Sequence, residues 1–213
     1  MANSSVSQPP ACHAALSLLL VIAACSPRPA GPLPPTEPGL QQELLARVAR
    51  DQAVRDTFTE QLRATGTLTP SLLASMRAVD SANLAWLKPH LRTNGFPTRA
   101  QVGVEGTKAT ALLIQHADAD PGFQAEMLPS LEAAFQAGDL TGQEVAMLTD
   151  RVAKAQGRPQ RYGTQSTVKD GRVTFDPIED SAGVDARRAA MGLPPLAAYK
   201  MILDSVYGQQ RAP

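Results

Sequence analysis

Apolar positions recur at helical spacing along most of the chain, and where the spacing breaks, the residues in the gap are those that start or stop helices. From Leu40 to about Ala64 the apolar residues Leu40, Leu44, Leu45, Val48, Phe58 and Leu62 alternate with Arg47, Arg50, Asp51, Arg55 and Asp56, which predicts one long amphipathic helix. Gly66 ends it. Thr69-Pro70 opens a second helix, threonine as cap and proline where its missing donor does no harm, carrying Leu72, Leu73, Met76, Val79, Leu84 and Leu87 toward His90. The turn-forming run Thr93-Asn94-Gly95-Phe96-Pro97 predicts a sharp break and then a short segment reaching Gly103 and Gly106, with Thr107 as cap of a third helix ending at His116.

Asp120-Pro121 starts the next helix, in which Phe123, Met127, Leu131 and Phe135 lie four apart on one face. Thr141-Gly142-Gln143-Glu144 is a capping box and opens a helix to about Ala155. The pattern then changes. Tyr162, Thr164, Thr167 and Val168, the turn Lys169-Asp170-Gly171, and Val173, Thr174 and Phe175 read as a β-hairpin closed by Asp176-Pro177. Asp185 is placed to cap a short helix ending at Gly192, and a last helix begins near Pro195 with Tyr199, Ile202, Leu203 and Val206. The expected fold is mainly α: one compact multi-helix domain over 40–213 with a small hairpin in its C-terminal third.

The first forty residues follow a different logic. The apolar run from Ala14 to Ala24 has the length of a signal-peptide core and is too short to span a bilayer of about 30 Å. It ends in Ile22-Ala23-Ala24-Cys25, which resembles the lipobox of bacterial lipoproteins, and that resemblance makes Cys25, where the signal segment 1–25 ends, the acylated residue, with the chain cut just ahead of it. No Lys or Arg precedes the run, so the amino terminus alone supplies the usual positive charge. Prolines at 27, 29, 32, 34, 35 and 38 make 26–39 an extended spacer. The expectation is a protein held at the cell envelope by a lipid anchor, and Ser26, which is not acidic, points to the outer membrane where there are two.

Charge adds an exclusion. Twenty basic and twenty acidic side chains balance to zero over 213 residues, so no global field draws the chain to nucleic acid. Aromatics are only 4%, leaving aliphatic side chains to fill the core, and both cysteines, Cys12 and Cys25, fall in the leader, so packing rather than a disulfide must stabilise the domain. There is no G-x-S-x-G, no G-x-x-x-x-G-K-[ST] and no H-E-x-x-H, and no cofactor is implied.

Candidate chemistry rests on four polar clusters. Gln115-His116-Ala117-Asp118 places an imidazole and a carboxylate at a helix end, where His116 can move protons near neutral pH with Asp118 or Asp150 orienting it. Leu112, one turn earlier, equally fits a hydrogen-bonded histidine at the core edge. Reading His116, Asp118 and Asp120 as metal ligands is weaker, because Asp120 is explained as a helix cap and no metal is expected. Arg151 and Arg188, from separate helices, can bring guanidinium groups to one anion, or else pair with Glu179, Asp180 or Asp185. In Tyr162-Gly163-Thr164-Gln165 the glycine admits a close approach, so Tyr162 and Gln165 can face a pocket.

The clusters Gln115-His116-Ala117-Asp118, Leu148-Thr149-Asp150-Arg151, Tyr162-Gly163-Thr164-Gln165 and Pro177-Ile178-Glu179-Asp180, then Arg187-Arg188 and Gly192-Leu193-Pro194, resemble in order and spacing a bacterial family of unknown function. The resemblance runs from about Trp86 to Tyr199 and implies a shared fold without an activity to carry over. Two functions are therefore expected: a site that binds or hydrolyses a small anionic ligand, built from His116, Asp118, Arg151, Tyr162, Gln165 and Arg188, or a non-enzymatic module that meets another envelope protein. The first requires a concave polar pocket and the second an exposed apolar patch.

Overall fold

The computed structural model describes residue 1, residues 33–169 and residues 172–207; the leader with Cys25, the spacer up to Pro32 and the hairpin turn at Asp170-Gly171 lie outside them. Seven α-helices and one two-stranded antiparallel hairpin form the described domain: α1 (Pro38–Thr65), α2 (Pro70–Asn94), α3 (Arg99–Gln115), α4 (Pro121–Gln136), α5 (Gly142–Ala155), β1 (Ser166–Lys169), β2 (Arg172–Phe175), α6 (Val184–Ala190) and α7 (Leu196–Tyr207). The architecture is the mainly α one expected from the apolar spacing. Ser166 pairs with Phe175 and Lys169 with Arg172 across the hairpin. Among the described residues no helix is long and apolar enough to cross a membrane.

The helices begin where short-range hydrogen bonds let them. Thr69 accepts from the amide of Leu72, Asp120 from that of Phe123 at 3.0 Å, and Thr141 and Glu144 close the capping box of α5. Each cap satisfies an amide that the first turn leaves without a partner. The core lies between α2, α3, α4, α5 and the first half of α1. Leu87, Val102, Leu113, Ile114, Phe123, Leu131 and Leu148 are its fully buried side chains, joined by Leu44 from α1. The segment ahead of α1 is tied down as well, since the amides of Thr36 and Glu37 donate to the carbonyls of Ala100 and Gln101 at 3.0 and 2.9 Å.

Two helix starts differ from the sequence reading. Thr107 does not cap α3. The helix starts at Arg99 behind a Thr98–Gln101 capping box and is kinked at Gly103, whose φ of 70° and ψ of 175° suit glycine. Thr107 is buried inside it, the one proton of its hydroxyl shared between the carbonyls of Val104 at 2.8 Å and Asp139 at 3.1 Å. Nor does Asp185 cap α6, which continues from a 3-10 turn at Ser181–Gly183; its carboxylate instead accepts the amide of Leu196 at 2.7 Å and so caps α7. A cap is read from the residues that follow it, whereas both of these groups are claimed by partners from other segments.

Gly142, at the start of α5, sits against the turn between α6 and α7. A Cβ there would lie 2.1 Å from the carbonyl oxygen of Met191. Backbone cannot retreat as a side-chain tip can, so Gly142→Ala is expected to destabilise the fold by about 1–3 kcal/mol, read as a lower midpoint in chemical denaturation with an unchanged slope.

Candidate functional site

Asp51 stands one turn beyond Val48 and two beyond Leu44 on α1, on the stripe that faces the core, and it is fully buried. A buried carboxylate requires partners. Both of its oxygens lie 2.9 Å from Nδ1 of His116, the residue that closes α3, and Gln52 donates to Oδ2 at 2.7 Å. Arg55, one helical turn later, donates from Nε to Oδ1 of Asp51 at 3.1 Å and from Nη2 to Oδ1 of Asp80, on α2, at 2.7 Å. Three helices thus bring together two carboxylates, a guanidinium and an imidazole.

The geometry fixes the tautomer. Arg55 Nε also lies 3.0 Å from His116 Nδ1, but one ring nitrogen cannot both give and receive a proton. Burial pushes the Asp51 carboxyl up, yet the hydrogen bond and charge of His116 and the charge of Arg55 outweigh it and hold the group below its ordinary 3.8. Asp51 is therefore ionised, Nδ1 carries the proton between them, and Arg55 bonds Asp51 while only abutting the ring. The other nitrogen, Nε2, has no hydrogen-bond partner among the described residues.

At Asp80 burial prevails instead, and with repulsion from Asp51 it raises the carboxyl above 3.8 against the pull of Arg55 and His116. The two shifts have opposite effects on stability. As pH falls toward 3.8 the folded state takes up the Asp80 proton first, which stabilises it; below 3.8 the unfolded chain takes up the Asp51 proton first, which destabilises the fold. Asp80→Asn is expected to remove the gain above pH 3.8 and keep the loss below it, measured by denaturation at a series of pH values.

His116 lines a cleft of about 700 Å³ together with Gln52, Arg55, Glu60, Gln115 and Arg151. Of the residues expected from sequence, His116 and Arg151 meet here, while Asp118 stands behind Arg151 and binds its Nη1 with both oxygens at 2.6 and 2.7 Å. Neither Asp118 nor Asp150 orients the imidazole; Asp51 does. Gln165 lines a second cleft that also includes Arg151.

Tyr162 and Arg188 line neither cleft. Arg188 is almost wholly buried, donating from Nε to the carbonyl of Pro194 at 2.6 Å and from Nη1 to that of Tyr162 at 2.7 Å, with its guanidinium over the ring of Tyr199. Burial lowers the pKa of the guanidinium and raises that of the Tyr199 phenol. Arg187, its neighbour, takes the pairing with Asp180 at 3.2 Å. The Tyr162-Gly163-Thr164 stretch is a loop wrapped on the buried carboxylate of Asp150. Gly163, at φ 70°, could carry no Cβ without meeting Leu196 at 2.7 Å.

Sequence reasoning passed over Asp51, Gln52, Arg55 and Asp80. A signal for the first and third was present: Leu44, Val48, Asp51 and Arg55 continue one stripe, so a charged pair replaces the apolar residues that the core side would otherwise show. Asp51, Asp80 and His116 each offer one ligand atom within 4.8 Å of the others, the spacing of a metal site. Arg55 already bonds both carboxylates, so the positive charge that they require is supplied by a side chain.

A family model described as "Family of unknown function (DUF6624)" matches residues 38–211, nearly the whole of the helical domain. No curated protein and no solved structure matches the chain.

Proposed function

Because the chain belongs to this family of unknown function, its chemistry has to be read from the site, and we propose that the cleft is an acid–base centre that hydrolyses a small anionic ester or phosphoester. The observation that carries this reading is the Asp51–His116 pair: a buried carboxylate 2.9 Å from Nδ1 orients the ring and leaves Nε2 as the basic nitrogen of a cleft-lining side chain. Arg151 lines the same cleft and offers a guanidinium to an anion, while Arg55 is engaged by Asp51 and Asp80. A concave polar cleft favours a ligand site over a docking module, whose mark would be an exposed apolar patch.

In the proposed reaction Nε2 accepts a proton from water as the water oxygen bonds to the carbonyl carbon or phosphorus. The same proton passes to the departing alcohol oxygen as its bond breaks, which returns the imidazole to its neutral form. Asp51 stabilises the imidazolium in between. The proposal extends to location: acylation at Cys25 would hold this domain at the envelope surface by its lipid chains.

The test is a panel of soluble anionic esters and phosphoesters offered to the wild type and to His116→Asn. A hydrolytic activity that the wild type has and the variant lacks supports the reading. Equal rates in the two proteins, or none across the panel, overturn it. The anchor is tested separately by mass spectrometry of the native protein, where an unmodified Cys25 contradicts acylation.

A further inference from the structure

The polar cleft continues past Arg151. Met147, Arg151 and Tyr207 line it and also line the second cleft, of about 440 Å³, whose character is different. Its walls include Phe58 and Leu62 of α1, Leu68, Val168 of β1 and Leu203 of α7. All five are half-buried, and none belongs to the core or packs against it. Apolar side chains facing a concavity are stabilised when something apolar covers them.

At the boundary, Asp118 engages only Nη1 of Arg151, while Nε is buried without a hydrogen-bond partner among the described residues. The guanidinium keeps Nη2, which no described residue engages, for a further acceptor. The order along the two clefts is thus apolar wall, guanidinium, and then the His116 imidazole.

We propose that the joined clefts bind a single-chain anionic amphiphile. Its hydrocarbon chain lies along Phe58, Leu62 and Leu203, its phosphate or carboxylate on Arg151, and the groups beyond the anion extend toward His116. This rests on the polar cleft being the acid–base site and adds the class of molecule it acts on. Two separate requirements define the ligand: an anion for the arginine and an aliphatic tail for the second cleft.

The test is calorimetric binding to the purified full chain, using octyl, decyl and dodecyl phosphate below their micelle concentrations, with dodecanoate, inorganic phosphate and dodecyl maltoside as comparisons. Affinity is expected to rise roughly two- to fourfold per methylene, and inorganic phosphate to bind at least about a hundredfold more weakly than dodecyl phosphate. Dodecanoate against dodecyl phosphate distinguishes a carboxylate head from a phosphate one. Leu203→Asp should flatten the chain-length dependence. Arg151→Lys, which keeps charge and loses the fork, should weaken the alkyl phosphates severalfold, and Arg151→Met about tenfold or more, with dodecyl maltoside unaffected.

A flat chain-length series, or dodecyl maltoside binding as tightly as dodecyl phosphate, overturns the proposal. If His116-dependent hydrolysis of a short ester persists beside a flat series, the amphiphile is wrong and the acid–base site stands. If dodecyl phosphate binds as expected while no ester is hydrolysed, the binding clefts stand and the hydrolytic reading fails.

Discussion

Asp150→Ala is expected to destabilise the domain by about 3–5 kcal/mol, the cost of stripping a buried network of its charged acceptor. The carboxylate is fully buried and accepts from the amides of Arg161 at 2.6 Å, Tyr162 at 2.9 Å and Thr164 at 2.9 Å, and from the Thr164 hydroxyl at 2.9 Å. Alanine leaves all four donors without their acceptor. The damage then spreads, because the carbonyl of Tyr162 holds Arg188, which in turn holds Pro194 ahead of α7. Asp150→Asn offers little relief: one oxygen becomes an NH2 group that must face donors. For a domain of this size the melting temperature should fall on the order of 10 °C. Asp118→Ala is the contrast. Its side chain is 57% exposed, so loss of its pairing with Arg151 should change stability by no more than about 1 kcal/mol. Similar melting temperatures for the two variants would show that the loop does not depend on Asp150.

His116→Asn is expected to lower kcat about 10²- to 10⁴-fold while moving the melting temperature by only a few degrees. Asparagine can place its amide nitrogen near the position of Nδ1 and keep donating to Asp51, and it has nothing at Nε2. The structural bond and the proposed base are thereby separated within one side chain. Asp51→Asn divides them the other way. The imidazole remains but loses the carboxylate that selects its tautomer and stabilises its charged form, and Arg55 is left with Asp80 as its one charged partner in the cluster. A comparable fall in kcat is expected, now with a loss of stability of about 2–4 kcal/mol. A His116→Asn protein that melts far below the wild type would make the ring chiefly a core group.

Whether a residue's role was readable from sequence depended on how far away its partner was. Thr69, Asp120 and Thr141 each serve an amide two or three residues ahead, and all three helix starts were legible. The hairpin strands were legible too, because alternation and turn residues act within ten positions. Thr107 and Asp185 show the limit. Both residue types suit a cap, yet the Thr107 hydroxyl reaches Asp139 and the Asp185 carboxylate reaches Leu196.

At the site, the sequence singled out His116 and Arg151 as candidates, since a polar cluster at a helix end stands out locally. It assigned the wrong carboxylate to the ring. Asp118 is two residues from His116 and points to Arg151, whereas Asp51 lies 65 positions earlier. Arg188 looked like an anion ligand because it lies on a separate helix from Arg151; its guanidinium is taken up by the carbonyls of Pro194 and Tyr162.

The sequence by itself determined the helices, their order, the hairpin and the shortage of aromatic core, because apolar periodicity and capping are properties of a few consecutive residues. Only the tertiary structure decided that Asp51, Arg55, Asp80 and His116 form one buried cluster, and that Arg151 stands between a polar and an apolar cleft. A charge removed from water is stabilised by whatever charge the fold places within about 3 Å. That distance is set by the packing of α1, α2, α3 and α5 against one another, and no local pattern records it.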